Sequence, residues 1–260
     1  MAGGLIVILP AAGLRTRLYP SFYPKELLTV AFAREAGEPA LRPVLAIELA
    51  LRAMGEAGIA RCQVVVSAAK WEVLRYLGDG RRHGIDIAYL VQAEPRGLAD
   101  AVDRGHAWTR DACVCMAMPD TVLQPADAIG RVKGKLAAAG ADLVLGVFPS
   151  AHPEQQGPVR LGDGGRVLEV LDKPVATDLR NTWGVAAWSP AFGALLHSAL
   201  AAGGAGEPPA LGAIFDLAVR RGLDVRAECF ADGTYVDIGT PEGLHAALAL
   251  AAHNLEESDP

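Results

Sequence analysis

Leu5-Ile6-Val7-Ile8-Leu9 is an unbroken apolar run, rich in β-branched residues and stopped by Pro10. Such a run reads as a strand buried on both faces, which needs one layer of structure above it and another below. The pattern returns at Gln63 to Ser67, Ile85 to Val91, Ala112 to Met118 and Ala141 to Phe148. Between these strands, Pro43 to Ala57 carries Val44, Ile47, Leu51 and Met54 at helical spacing. Lys70 to Leu77 reads as a short helix, Gly78-Asp79-Gly80 as a turn, and Pro125 to Ala139 as an amphipathic helix whose Arg131, Lys133 and Lys135 form a solvated face. Strands and helices alternating at this interval predict an α/β fold built on a parallel sheet.

Beyond about residue 150 the rhythm changes. Gly157 to Leu161 and Val167 to Leu171 flank Gly162-Asp163-Gly164-Gly165, which is hairpin chemistry. Thr182 to Ser189 and Asp224 to Phe230 read as strands, Pro190 to Leu200 and Pro208 to Arg221 as helices, and a last helix opens near Pro241. The expectation is one domain over 1–260, with a first part to about 149 and a second from about 150.

Composition narrows the function. Of 260 residues, 51% are hydrophobic and 21% charged, which is ordinary for a globular chain that buries a sizeable core. The formal net charge of −6 makes nucleic acid an unexpected partner. No apolar run approaches the roughly 18 residues of a membrane span. The chain enters its first strand within a few residues, without a basic segment or cleavage site, so a cytoplasmic location is expected. Cys62, Cys113, Cys115 and Cys229 lie in apolar segments without metal or redox spacing and read as structural thiols, Cys113 and Cys115 facing one side of a strand. The six histidines are scattered and predict no zinc site.

Ligands of open α/β sheets sit beyond the carboxyl ends of the strands, so the loop after the first strand is where chemistry is expected. Gly13 lets the backbone turn or approach a ligand. Around it Arg15, Arg17 and Lys25 bring three cations into one stretch, with the Thr16 hydroxyl between two of them. Guanidinium forks, an ammonium and backbone N–H groups suit a polyphosphate; the alternative is a solvated surface loop. The pattern is neither a Walker A loop nor Gly-x-Gly-x-x-Gly, because Arg15 and Leu18 stand where two glycines would be. After the third strand, the Gln92 carboxamide beside Gly97 could read a base edge, or form a plain strand-to-helix turn. Asp120, at the end of the fourth strand, suits a hard cation facing phosphates, or simply a turn.

Gly13-Leu14-Arg15-Thr16-Arg17-Leu18 with Pro20 and Pro24-Lys25 resembles the Gly-x-Gly-Thr-Arg-Leu…Pro…Pro-Lys loop of the sugar-1-phosphate nucleotidylyltransferases, notably the thymidylyl- and uridylyl-transferring branches. Four further stretches resemble that family in order: Gln92, Pro95 and Gly97; Asp120; Gly157 to Lys173, followed by a strand containing Gly184; and Tyr235-Val236-Asp237-Ile238-Gly239-Thr240-Pro241-Glu242. The resemblance implies a Rossmann-like, mixed but mainly parallel sheet flanked by helices, and Mg-dependent transfer of a nucleotidyl group to a sugar 1-phosphate with release of pyrophosphate. It implies that Ala12, Gly13, Leu14, Arg15 and Thr16 bind the nucleotide, UTP or dTTP being favoured, and that Arg17 and Lys25 hold its phosphates. Gln92, Pro95 and Gly97 would contact the base, Asp120 and Asp237 would bind magnesium, and Lys173 would hold the acceptor phosphate. Asp172 would bond acceptor hydroxyls, and Gly157 and Gly184 would let the acceptor come close.

Arg15, Pro119 and Asp172 depart from the family's Gly, Gly and Glu, and no Arg lies between Arg180 and Arg220, where hexose-specific members carry one. Arg15 either adds a phosphate fork or blocks the approach. These departures keep two alternatives open: a cytidylyltransferase for a non-sugar phosphate such as phosphocholine, with Trp183 and Trp188 as cage candidates, and a non-catalytic nucleotide-sugar-binding homologue. A homo-oligomer is also left open.

Overall fold

The computed structural model describes residues 5–13, 23–34, 40–203 and 206–257. In chain order the first half comprises β1 (Ile6–Pro10), β2 (Thr29–Arg34), β3 (Leu41–Leu45), α1 (Ala46–Glu56), β4 (Arg61–Val66), α2 (Trp71–Leu77), β5 (Asp86–Val91), α3 (Leu98–Asp103), α4 (His106–Thr109), β6 (Val114–Ala117), β7 (Thr121–Gln124) and α5 (Ala128–Ala139). There follow β8 (Leu143–Pro149), β9 (Val159–Leu161), β10 (Val167–Val170), β11 (Asn181–Trp188), α6 (Pro190–Ala202), α7 (Leu211–Arg220), β12 (Val225–Cys229), β13 (Thr234–Asp237) and α8 (Pro241–Glu257).

Seven strands form the central sheet in the order β12-β8-β11-β6-β1-β4-β5. All neighbours run parallel except β11, which is antiparallel to both β6 and β8. The fold is therefore α/β with a mixed, mainly parallel sheet, and strands from both parts of the chain share it. Period-two alternation divides the apolar residues between two layers. Val7, Leu9, Val64 and Cys115 pack with Ile47, Leu51, Met54, Val73 and Val132 from α1, α2 and α5. Ile8, Val65 and Met116 pack on the other face with Val102, Phe192, Ile214 and Phe215 from α3, α6 and α7. Both faces of β1 are filled, as an uninterrupted apolar run requires.

Three elements differ from the sequence pattern. Pro43-Val44-Leu45 belongs to β3, which pairs antiparallel with β2, so α1 begins at Ala46. Pro43 has no N–H for a ladder, and an isolated two-stranded pair tolerates that. Thr121–Gln124 forms a strand paired with β13 where none was expected, and the helix expected from Pro125 starts only at Ala128. The expected helix from Pro208 begins at Leu211. Cys62 and Cys115 are buried, and burial pushes the Cys115 thiol up to about 12, as inert structural thiols should be. Cys229, by contrast, is exposed. No helix among the described residues is long and apolar enough to cross a membrane.

Candidate active site

The parallel strands β1, β4, β5 and β6 end on one edge of the sheet, and β11, running the other way, brings its beginning to that same edge. Ala11 extends the ladder one step past β1, its N–H donating to Val65 O at 2.7 Å. Ala12 is buried and Gly13 exposed where the chain leaves the sheet. Leu14, Arg15, Thr16 and Arg17 lie outside the described residues.

The chain returns at Pro24 into a single 3-10 turn, Lys25–Leu27, which aims Lys25 at the end of β6. There its ammonium pairs with Asp120 Oδ2. Burial alone would lower the Lys25 pKa, but Asp120, with Asp237 and Glu26 further off, holds the ammonium above its ordinary value. Asp120 is 2% exposed, and its other oxygen, Oδ1, is buried without a hydrogen-bond partner among the described residues.

Asp237 reaches this corner through the β7–β13 pairing, which sets it opposite Thr121. Ile238 N–H donates to the Asp120 carbonyl at 3.1 Å, and Gly239 N–H donates to Asp237 Oδ1 at 2.7 Å. Two carboxylates far apart in sequence thus meet beside one lysine. The small ladder that does this was invisible in the sequence pattern, because neither of its four-residue strands stands out as an apolar or alternating run.

A second ion pair lies directly behind the first. Glu26, the residue after Lys25, accepts from Lys70 Nζ at 2.7 Å, with both side chains almost wholly buried. Burial raises the Glu26 pKa and lowers that of Lys70, and in neither case does the partner's charge fully reverse it. Glu26 Oε2 has no partner among the described residues. Nothing in the local sequence marks this pair, because its members are 44 positions apart.

At the end of β5, Gln92 is buried and its Nε2 donates to Gly97 O at 3.1 Å and to Asp100 Oδ2 at 2.7 Å. Both amide hydrogens are engaged, so the amide oxygen faces away from them. Gly97 has φ 92° and ψ 176°, a conformation that essentially only glycine adopts, and it turns the chain into α3. Pro95 is exposed on the same loop.

On the far side of the edge, Gly157 is buried against the Trp183 indole, whose Nε1 is buried without a partner among the described residues. Gly184 is also buried: a Cβ there would lie 2.6 Å from Tyr235 Cδ2 and 3.1 Å from the Phe148 ring. At both glycines the space of the missing Cβ is taken by aromatic rings of this chain. Lys173 is exposed and has φ 43°, the single positive φ of a non-glycine among the described residues, held by its N–H donating to Gln156 O at 2.8 Å. Asp172, also exposed, sits against the first turn of α7 beside Gly212. Trp183 packs edge-on against Phe215 and Trp188 against Phe192. Trp188 is 2% exposed, so the two tryptophans form no cage.

A cavity of about 750 Å3 lies elsewhere, between the β2–β3 pair, α1, β7 and α8. Its walls are mainly apolar and include none of Lys25, Gln92, Asp120 or Lys173. The crevice at the strand ends is the better candidate, because it gathers the charged groups.

The profile of the nucleotidyl transferase family matches residues 7–254. A glucose-1-phosphate thymidylyltransferase of Streptomyces griseus is 30% identical over 197 residues, covering 74% of this chain and 50% of that protein. A low-salt glycan biosynthesis nucleotidyltransferase of Haloferax volcanii is 29% identical over 172 residues, covering 64% of this chain and 44% of its own. The chain thus spans about half the length of the curated relatives it matches. Among solved structures, UTP-bound UGPase of Acinetobacter baumannii superposes with a TM-score of 0.75 at 19% identity, over 99% of this chain and 95% of that one. A Bacillus anthracis protein described as a glucose-1-phosphate thymidylyltransferase gives 0.82 at 19% identity, over 95% of each chain. At that identity the likeness speaks for the fold alone.

Proposed function

The chain belongs to the nucleotidyl transferase family, and on that premise we propose that it transfers a nucleotidyl group from UTP or dTTP to a sugar 1-phosphate. An oxygen of the acceptor phosphate attacks the α-phosphorus, the bond to the bridging oxygen breaks, and pyrophosphate leaves. A phosphate monoester is nucleophilic enough at neutral pH to need no general base, so catalysis rests on alignment and charge neutralisation.

The observation that carries this reading is the convergence of Lys25, Asp120 and Asp237 at the strand ends. Asp120 Oδ1 is a buried oxygen without a partner among the described residues, and an all-oxygen donor set suits magnesium rather than zinc. Bound to Asp120 and Asp237, a magnesium ion would neutralise charge on the nucleotide phosphates. Lys25, kept protonated, would bind the phosphates together with Arg17, and Arg15 would add a further fork. Ala12, Gly13, Leu14 and Thr16 complete the phosphate loop in this reading. Lys173 would draw in the acceptor phosphate, with Asp172 near its hydroxyls and Gly157 and Gly184 shaping the floor.

Gln92 supports the choice of base. With its Nε2 committed to Gly97 and Asp100, it offers an acceptor oxygen beside Pro95 and Gly97. Uracil and thymine present an N3–H donor to such an oxygen, whereas cytosine N3 is an acceptor and only its 4-amino group could donate there. That, and the tryptophans packed into the core, weigh against a cytidylyltransferase for phosphocholine.

Pyrophosphate release, measured with magnesium while crossing the four common nucleoside triphosphates with sugar 1-phosphates and phosphocholine, tests the proposal. Release with UTP or dTTP and a sugar 1-phosphate, abolished by Asp237→Ala, supports it. Nucleotide-sugar binding without release from any pair would replace it with the non-catalytic reading.

A further inference from the structure

Away from the strand-end crevice, three side chains meet where the C-terminal end of α3 comes together with α4 and α6. Asp103 is the last residue of α3, His106 the first of α4, and His197 lies in the middle of α6. Their carboxylate and ring-nitrogen atoms lie within 4.8 Å of one another. The two imidazoles stack face to face, centroids 4.2 Å apart and planes 9° from parallel, which sets their edges side by side. His197 Nδ1 lies 3.0 Å from Asp103 Oδ2. Arg104, the nearest cation in sequence, forks onto Asp100 instead, at 2.7 and 2.8 Å, and leaves Asp103 to the histidines.

We propose that Asp103, His106 and His197 form a binding site for a divalent transition metal of the zinc type, separate from the two-carboxylate corner. Two imidazoles and one carboxylate are a zinc, nickel or copper donor set, and not one that favours magnesium. With metal–ligand bonds of about 2.0–2.2 Å, tetrahedral ligand atoms stand roughly 3.4 Å apart. The three groups therefore need to close by no more than about 1.5 Å from the upper bound of their present spacing. The stacked rings must fan apart so that each lone pair points at the metal, and rotation about the side-chain bonds does this. His197, with a side chain 52% exposed, has room to turn. The fourth position falls to water. The ion would clip α6 to the α3–α4 corner, joining segments 94 residues apart in the chain. The sequence carried no sign of it, because each ligand comes from a different helix and no spacing motif arises.

The test uses untagged, chelator-treated protein, with magnesium in excess to occupy the carboxylate corner. Zinc titration should find about one tight equivalent and raise Tm by several degrees at saturation. Cobalt should give the intense visible absorption of a tetrahedral ion. His197→Ala, a substitution at an exposed position, and Asp103→Asn should each weaken zinc binding at least ten-fold. His152→Ala, at another exposed histidine, should leave it unchanged. The proposal fails if zinc neither binds tightly nor shifts Tm. It fails equally if binding survives His106→Ala/His197→Ala, or falls as much in His152→Ala. Because the readouts are metal affinity, Tm and the cobalt spectrum, the outcome does not depend on the proposed transferase activity.

Discussion

Replacing Lys70 with Met leaves Glu26 buried at 1% exposure, without the ammonium now 2.7 Å from it. Breaking a buried pair in this way costs about 3–5 kcal/mol when the remaining charge has no escape. Here it has one. Burial already holds the Glu26 carboxyl above the usual carboxylate range with Lys70 present, and removing the lysine raises it further. A carboxyl whose folded-state pKa lies above its unfolded value destabilises the fold once pH exceeds the unfolded value of about 4.3. That deficit grows by about 1.4 kcal/mol per pH unit until the folded-state pKa is passed. Urea unfolding of Lys70→Met should therefore show a loss of about 3 kcal/mol or more at pH 8 that shrinks markedly at pH 5. The double variant Glu26→Gln/Lys70→Met should recover to within about 1 kcal/mol of the parent and lose the pH dependence, because neutral groups of similar shape replace both charges. A loss below about 1 kcal/mol in the single variant at pH 8, or a double variant as unstable as the single, would refute the reasoning. Since burial outweighs attraction for both partners, the pair is not a stability device. We expect the double variant to be stable yet slower in nucleotidyl transfer, through the adjacent Lys25.

The remaining predictions concern the strand ends and the frame that holds them. Asp120→Asn should lower kcat by about 100-fold or more with a smaller change in nucleotide KM; an unchanged rate in a steady-state pyrophosphate assay would remove Asp120 from the mechanism. Gly184→Ala should lower stability by about 1–3 kcal/mol, because its methyl group meets Tyr235 and Phe148, and a thermal melt matching the parent would contradict the packing described. For Glu48, burial alone would raise the pKa, yet the Tyr76 hydroxyl at 2.8 Å, the Leu45 N–H at 3.1 Å and Arg42 together hold it below the usual range. A lowered folded-state value means stability that is full above about pH 4.3 and lost as pH falls through the folded-state value. Glu48→Gln should therefore be less stable than the parent at pH 7 by about 1 kcal/mol or more and converge with it in acid, as read by urea titration at both pH values.

Much of the scaffold was legible because it rests on local periodicity. The apolar runs at β1, β4, β6 and β8 and the helical spacing in α1 are one-dimensional signals, and burial on both faces follows from them directly. The stretches carrying Lys25, Gln92 and Asp120 stood out as short polar motifs following apolar strands, where α/β sheets put their ligands, and the stretch carrying Asp237 stood out by its resemblance to a family motif. What the chain alone determined is therefore which residue types stand at which strand ends. Tertiary structure decided which of them meet. The β7–β13 ladder that sets Asp237 beside Asp120 joins short segments 110 or more positions apart, neither of which stands out as a strand. The Glu26–Lys70 pair and the joining of His197 to Asp103 and His106 are likewise contacts between distant segments, with no period or spacing to announce them. Periodicity reports which face of an element is buried; only packing reports what it is buried against.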